Sequence, residues 1–312
     1  MHRRLKHNFK FQPRHDLLES RRLLTTVYST NWSGYGAATN LSSPASGAVT
    51  AVSGSWVVPT VTGSGRGTTY SAAWVGIDGL SDGTVEQLGT EQDVSNGTAQ
   101  YSAWWEMYST GKGQPEQEIT GFTVKPGDSI KASVQYTGSG NFVLSISDST
   151  RNETFKTTQN TSSVQSPTAS QSSAEWVVEA PSVGGGQSSL ADFGTITFTN
   201  ASATIDSVKG PINDSSWQNE AIEMINSRDS LLDTTSALNS AGTGFTVTYN
   251  GSSSGGGGGH GGHGGGGFGG ALQSRTGANH GALVAPTAGQ GALVVFYGVV
   301  PTDAKKTDSP GS

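Results

Sequence analysis

From about Val27 onward the chain is divided into short runs of alternating apolar and polar residues, separated by clusters of Gly, Ser, Asn and Pro. An extended strand points successive side chains to opposite faces, so this alternation commits the chain to sheets rather than helices. In Ser129–Tyr136, Ile130, Ala132, Val134 and Tyr136 share one face, and Ser129, Lys131, Ser133 and Gln135 share the other. Similar runs occupy Val49–Val58, Phe142–Ile146, Gly194–Thr199 and Phe245–Tyr249. Repeated with turn residues between them, they predict an all-β fold, an antiparallel sandwich or barrel. Only Trp217–Leu232 is ambiguous: Trp217, Ala221 and Ile225 fit helical spacing, whereas Ile222 and Met224 fit alternation.

Composition agrees with strands joined by many turns. Charged residues are 13% of the 312, about half the roughly 25% usual for soluble domains, and Gly reaches 45 residues. The expected organisation is a basic leader or arm at 1–26, one β domain at 27–250, a flexible linker at 251–270 and a tail at 271–312 with one strand, Ala292–Val300. The linker carries 14 glycines in 20 positions, too many to bury a core. Its His260 and His263 are weak candidates for a metal.

Seven of the 18 basic residues lie in the first 22 positions; without that arm, 11 basic residues face 22 acidic ones, a net charge of −11. Such a body repels nucleic acid and anionic membrane, so neither is expected as a partner. No apolar run is long enough for a membrane-spanning helix, and the basic arm suggests export to the medium or cell surface without a standard signal. The absence of cysteine excludes disulfides and thiol chemistry. No cofactor is expected, and the chain is expected to act as a monomer.

The two-residue period exposes an unusual face in three runs. In Ala72–Asp78, Trp74, Gly76 and Asp78 oppose Ala73, Val75 and Ile77. In Gln100–Tyr108, Trp104, Glu106 and Tyr108 oppose Tyr101, Ala103, Trp105 and Met107; in Ala174–Glu179, Glu175, Val177 and Glu179 oppose Trp176 and Val178. A merely solvated face would carry Thr, Ser, Lys and Gln. Tryptophan beside carboxylates suits a concave cleft, with aromatic walls and a few polar groups that orient a ligand. It also suits tryptophans that cap a sandwich above surface acids. A carboxylate against apolar walls has a raised pKa and fits acid–base chemistry. Paired carboxylates and aromatic platforms fit a carbohydrate-binding or glycoside-cleaving protein as well. There is no HExxH or P-loop motif, and no histidine between Val27 and Asn250; His280 stands alone in the tail.

The motifs NWSGY (Asn31–Tyr35), SGSWVVP (Ser53–Pro59), AWVGIDG (Ala73–Gly79), VEQLGT (Val85–Thr90), WWEMY (Trp104–Tyr108) and AEWVVEAP (Ala174–Pro181) resemble, in order, those of the glutamic peptidases, or eqolisins. The resemblance runs from about Thr30 to Tyr249. It implies a concanavalin-like or jelly-roll sandwich of two bent antiparallel sheets around a cleft, and acid-acting endopeptidase activity on proteins or peptides. It also implies that Gln87 and Glu175 are the catalytic pair, with a water between them. Trp32, Trp74, Asp78, Glu106 and Tyr108 match positions that line or support the cleft, and Glu91 an acidic position; Trp104 joins them by alternation. The linker and tail after Asn250 have no counterpart in the resemblance.

Overall fold

The computed structural model describes residues 26–63, 66–251, 278–280 and 282–283. The expected leader, most of the linker and the expected strand Ala292–Val300 lie outside them.

Two multi-stranded sheets dominate. The nine-stranded sheet runs, in spatial order, Thr26–Ser29, Gln218–Met224, Trp32–Ala38, Ser173–Glu179, Ala72–Ile77, Thr84–Ser95, Thr98–Ser109 and Gln114–Glu118, with Thr68–Thr69 added beside Thr84–Ser95. The eight-stranded sheet runs Glu153–Asn160, Asn141–Asp148, Ser129–Tyr136, Val49–Val57, Thr195–Ile205, Phe245–Tyr249 and Asp233–Thr235, with Val208–Gly210 beside Thr195–Ile205. Every run expected from alternation within the described residues is a strand. The ambiguous stretch is also a strand, Gln218–Met224. Its neighbours demand the alternating conformation, because Ala221 enters the core between the sheets while Ile222 packs on the opposite face.

The main core lies between the sheets. Tyr35, Val75, Leu88, Met107 and Trp176 from the first sheet meet Val52, Trp56, Val134, Leu144, Phe198 and Phe245 from the second. Two tryptophans tie the layers as well as filling them: Trp176 Nε1 donates to the Ser53 carbonyl at 2.8 Å, and Trp56 Nε1 donates to Thr90 Oγ1 at 3.0 Å. Both satisfy a polar atom that burial would otherwise penalise.

The nine-stranded sheet is apolar on its outer face too. There a second cluster gathers Trp32, Trp74, Trp104, Leu80, Val85, Val177 and Ile222, all buried. A sandwich layer buried on both faces needs a cover on the outer one. Part of that cover comes from the tail: Ala278–Asn279 forms a short strand antiparallel to Ser182–Val183, and Ala282 and Leu283 pack on the outer cluster.

Candidate active site

Strand register assembles the outer face into three rows. In the first, Glu220, Gly36, Glu175, Gly76, Gln87 and Glu106 stand directly abreast on six neighbouring strands. In the second, two residues along, Val177, Trp74, Gly89 and Trp104 are abreast. In the third, Trp32, Glu179, Ala72, Glu91 and Ser102 line up. Residues directly opposite share a face, so Glu175, Gln87, Glu106, Trp32, Trp74, Trp104, Glu91 and Glu179 all rise on one side of the sheet.

The glycines in these rows are cut to fit the large side chains. A Cβ at Gly89 would fall 2.2 Å from the Ala73 carbonyl oxygen and 2.6 Å from Trp74 Cβ. Only a bare Cα therefore permits the tryptophan row. Gly76 separates Glu175 from Gln87, and a Cβ there would meet the Trp74 ring at 2.8 Å and Gln87 Cβ at 3.2 Å. Two strand spacings place the Glu175 and Gln87 backbones roughly 10 Å apart, and their long side chains flank the space above Gly76.

Both are fully buried. Among the described residues, neither carboxylate oxygen of Glu175, nor Oε1 of Gln87, has a hydrogen-bond partner. The amide nitrogen of Gln87 donates to Glu106 Oε2 at 3.3 Å and to the main-chain carbonyl of His280. Burial pushes the Glu175 carboxyl well above its ordinary pKa; Ser173 offsets this in part, and Asp78 and Asp82 add to it. Burial raises Glu106 in the same way, with His280 opposing and Glu179 reinforcing.

The tail histidine enters this face. The His280 ring stacks on Trp104, with centroids 3.8 Å apart and planes inclined by 6°. Its Nδ1 lies 3.2 Å from Glu179 Oε2, and its Nε2 lies 3.4 Å from Glu91 Oε1 and 3.8 Å from Glu116 Oε2. Its backbone N–H donates to Glu106 Oε2 at 3.1 Å. Burial alone would lower the imidazole pKa, but Glu179 and Glu91 outweigh it and hold it well above the ordinary value. Carboxylates beside both ring nitrogens favour the imidazolium, with a hydrogen bond at Nδ1 and ion-pair distances at Nε2. Glu91, Glu116 and His280 also bring one ligand atom each to within 4.8 Å of one another, the set among the described residues that could hold a metal ion.

Not every expected residue points into this face. Asp78 continues the alternation of Trp74 and Gly76 in sequence, but the strand ends at Ile77 and Asp78 takes φ = 73°. Its carboxylate turns to the neighbouring loop, accepting from the N–H groups of Gln171 at 2.7 Å and Ser172 at 2.6 Å. Burial, then Asp82, raises its pKa to about 7. It supports the end of the row that holds Glu175 rather than lining it. Tyr108 is half-buried beside the outer cluster, its phenol pKa raised by burial and then by Glu106. Trp32 meets Trp74 edge-on at 4.9 Å, and Trp74 Nε1 donates to Glu179 Oε2 at 2.8 Å.

The residues that sequence reasoning missed are His280 and Glu116. No histidine lies between Val27 and Asn250, yet the tail carries His280 back to this face. Glu116 lies in the polar run Gln114–Glu118, where alternation carries no signal. A separate groove of about 1050 Å³, lined by Thr62, Arg66, Gln187 and Asp192 among others, contains none of the three rows.

The comparisons with known proteins fit this arrangement. A family model described as "Peptidase A4 family" matches residues 30–251. Aspergillopepsin-2 of Aspergillus niger is 30% identical over 196 residues, 57% of this chain; the chain spans 65% of that protein's length. Among solved structures, scytalido-glutamic peptidase with a transition-state analogue inhibitor is similar over 70% of this chain and 98% of its own, with a TM-score of 0.56 and 23% identity. SCP-B, an eqolisin solved with the tripeptide Ala-Ile-His, covers the same shares with a TM-score of 0.53 and 22% identity. At these identities the two structures speak for the fold.

Proposed function

The chain belongs to the Peptidase A4 family, and from that premise we propose that it is an acid-acting endopeptidase in which Glu175 and Gln87 activate a water molecule above Gly76. The observation that carries the reading is the placement of Gln87: its amide donates to a peptide carbonyl, that of His280, lying across the face on which Glu175 is abreast. A carboxamide held there is a neutral oxyanion donor that needs no titration.

In the proposed reaction, ionised Glu175 takes a proton from the water as it attacks the carbonyl carbon. Gln87 stabilises the developing oxyanion, and Glu175 then returns the proton to the leaving amine. Burial holds the Glu175 proton more tightly than a solvated carboxyl does, so in acid the reaction runs through the ionised fraction of the enzyme, in which Glu175 is the stronger base. Glu106 fixes the carboxamide by accepting from its Nε2, so that the donor is already aimed when substrate arrives. The substrates of this reading are proteins and peptides, and no cofactor takes part.

The described residues include no helix long and apolar enough to cross a membrane. An enzyme of acidic solution suits secretion or display on the cell surface, and we place it there as a monomer. Incubating the purified chain in acid with denatured casein and, separately, with a panel of polysaccharides tests the reading. Casein should be cut into peptides with the glycans left intact. Glycan cleavage without proteolysis would instead support the carbohydrate-active alternative.

A further inference from the structure

Three side chains able to ligate a metal meet beside Trp104 from remote parts of the chain. Glu91 comes from the strand Thr84–Ser95 and Glu116 from the edge strand Gln114–Glu118. The edge strand pairs Gln117 with Trp105 but Gln114 with Met107, which leaves Pro115 and Glu116 together opposite Glu106. An extra residue of this kind re-aims a side chain. His280 arrives from the tail, carried in by the pairing of Ala278–Asn279 with Ser182–Val183. One ligand atom of each side chain lies within 4.8 Å of the other two.

The spacing fits a shared ion better than it fits hydrogen bonds. His280 Nε2 lies 3.4 Å from Glu91 Oε1 and 3.8 Å from Glu116 Oε2, whereas a charge-assisted N–H···O bond is about 2.7–2.9 Å long. Ligand atoms bound about 2.0–2.1 Å from a tetrahedral ion stand about 3.4 Å apart. His280 and Glu91 are both buried, and neither Nε2 of the one nor Oε1 of the other makes a hydrogen bond among the described residues. The far ring nitrogen is engaged: Nδ1 lies 3.2 Å from Glu179 Oε2, which also accepts from Trp74 Nε1 at 2.8 Å. A carboxylate in that place is the usual support of a metal-bound histidine, because it fixes the ring and leaves the near nitrogen's lone pair for the ion. Charge favours the same occupant. Glu91, Glu116, Glu179 and Glu106 surround His280, and a divalent ion brings two positive charges where a proton on Nε2 brings one.

We propose that Glu91, Glu116 and His280 bind one zinc ion, with a water in the fourth position, and that this ion ties the tail to the nine-stranded sheet. One imidazole and two carboxylates suit zinc, whereas magnesium takes oxygen ligands and keeps most of its water. Glu91 stands in the third row and Gln87 in the first, four residues or about 13 Å away along one strand. The ion is therefore structural and takes no part in the hydrolysis proposed above. The inference is independent of that reading and survives or fails without it.

The test titrates zinc by calorimetry into the full-length chain, stripped with a chelator, at about pH 7.5, where the carboxylates are ionised and zinc can displace a proton from imidazole. The wild type should bind one ion with a Kd of about 1 μM or tighter. Its melting temperature should rise by about 5 °C at a free zinc concentration roughly 100-fold above that Kd. Glu91→Gln and His280→Ala should each weaken binding by about tenfold or more. Glu116→Gln, on the edge strand, gives the same reading if either buried variant fails to fold. A chain with both His260→Ala and His263→Ala, in the glycine-rich linker, should bind zinc as the wild type does, and magnesium should not bind. A wild type that takes up no zinc would overturn the inference. So would binding unchanged by the site variants, binding lost in the linker variant, or magnesium bound as tightly as zinc.

Discussion

Glu175 and Gln87, 88 positions apart in the chain, stand abreast on strands that flank a third, with only Gly76 between them. The register of three antiparallel strands places them there, and the missing side chain of Gly76 leaves the space between them open. A carboxylate and a carboxamide positioned by a sheet are held by backbone hydrogen bonds on either side, the rigid support that a reacting pair requires.

Gly76→Ala tests that space directly. The added methyl would sit 2.8 Å from the Trp74 ring and 3.2 Å from Gln87 Cβ, so both must shift by a few tenths of an ångström. The fold should survive, with a melting temperature within a few degrees of wild type. Peptidase kcat/KM should fall by about tenfold, since a misplacement of about 1 Å costs on the order of 100-fold and the shift here is smaller. A variant as active as the wild type would show that the space above Gly76 is not where the chemistry occurs.

Stability should fall as pH rises from acid to neutral. Burial raises Asp233 and Glu220 to about 7, from ordinary values of 3.8 and 4.5. A carboxyl group with a raised folded-state pKa contributes stability that is fully present below the unfolded value and lost as pH climbs through the folded one. The window therefore runs from about pH 4 to about pH 7. Ser33 Oγ donates to Asp233 Oδ2 at 2.6 Å and the Met224 N–H to Oδ1 at 3.1 Å; in asparagine the amide oxygen can accept the second bond while the amide nitrogen donates to the Ser33 hydroxyl. Asp233→Asn should thus keep the acid stability and flatten its decline, as read from thermal melts across that range. A wild type equally stable at both ends would contradict the assignment.

Asp78 should behave as a loop clamp. Asp78→Ala removes the acceptor for the Gln171 and Ser172 N–H groups and puts alanine at φ = 73°, so it should cost about 3 kcal/mol in urea unfolding. Asp78→Asn keeps one of the two acceptor oxygens and tolerates that backbone, and should cost about 1–2 kcal/mol, less than the alanine change. Equal losses would show that the charge itself, rather than the acceptor, holds the loop.

Most of the outer face was legible because alternation reports which residues share a side. It grouped Trp74 with Gly76, Trp104 with Glu106, and Glu175 with Glu179, and the sheet keeps those groupings. It failed at Asp78, where a positive φ ends the strand after Ile77 and turns the side chain away. For Gln87 and Glu91 alternation had nothing to work with. All but the last residue of Thr84–Ser95 are buried, so a run covered on both faces shows no contrast between them. Trp217–Leu232 was ambiguous because only Gln218–Met224 is a strand, and there Ala221 and Ile222 are buried on opposite faces. His280 left no trace at all, since a lone histidine beside a glycine-rich stretch carries no periodic signal. Only the three-dimensional path of the tail brings it to Trp104.

The account stands on Glu175 as base and Gln87 as oxyanion donor, and steady-state kinetics of Glu175→Gln and Gln87→Ala on a protein substrate in acid test it most directly. Glu175→Gln should lower kcat by roughly 10³-fold or more and Gln87→Ala by roughly 10²- to 10³-fold, with both variants folded by circular dichroism. Either variant retaining kcat within tenfold of wild type would contradict the central claim.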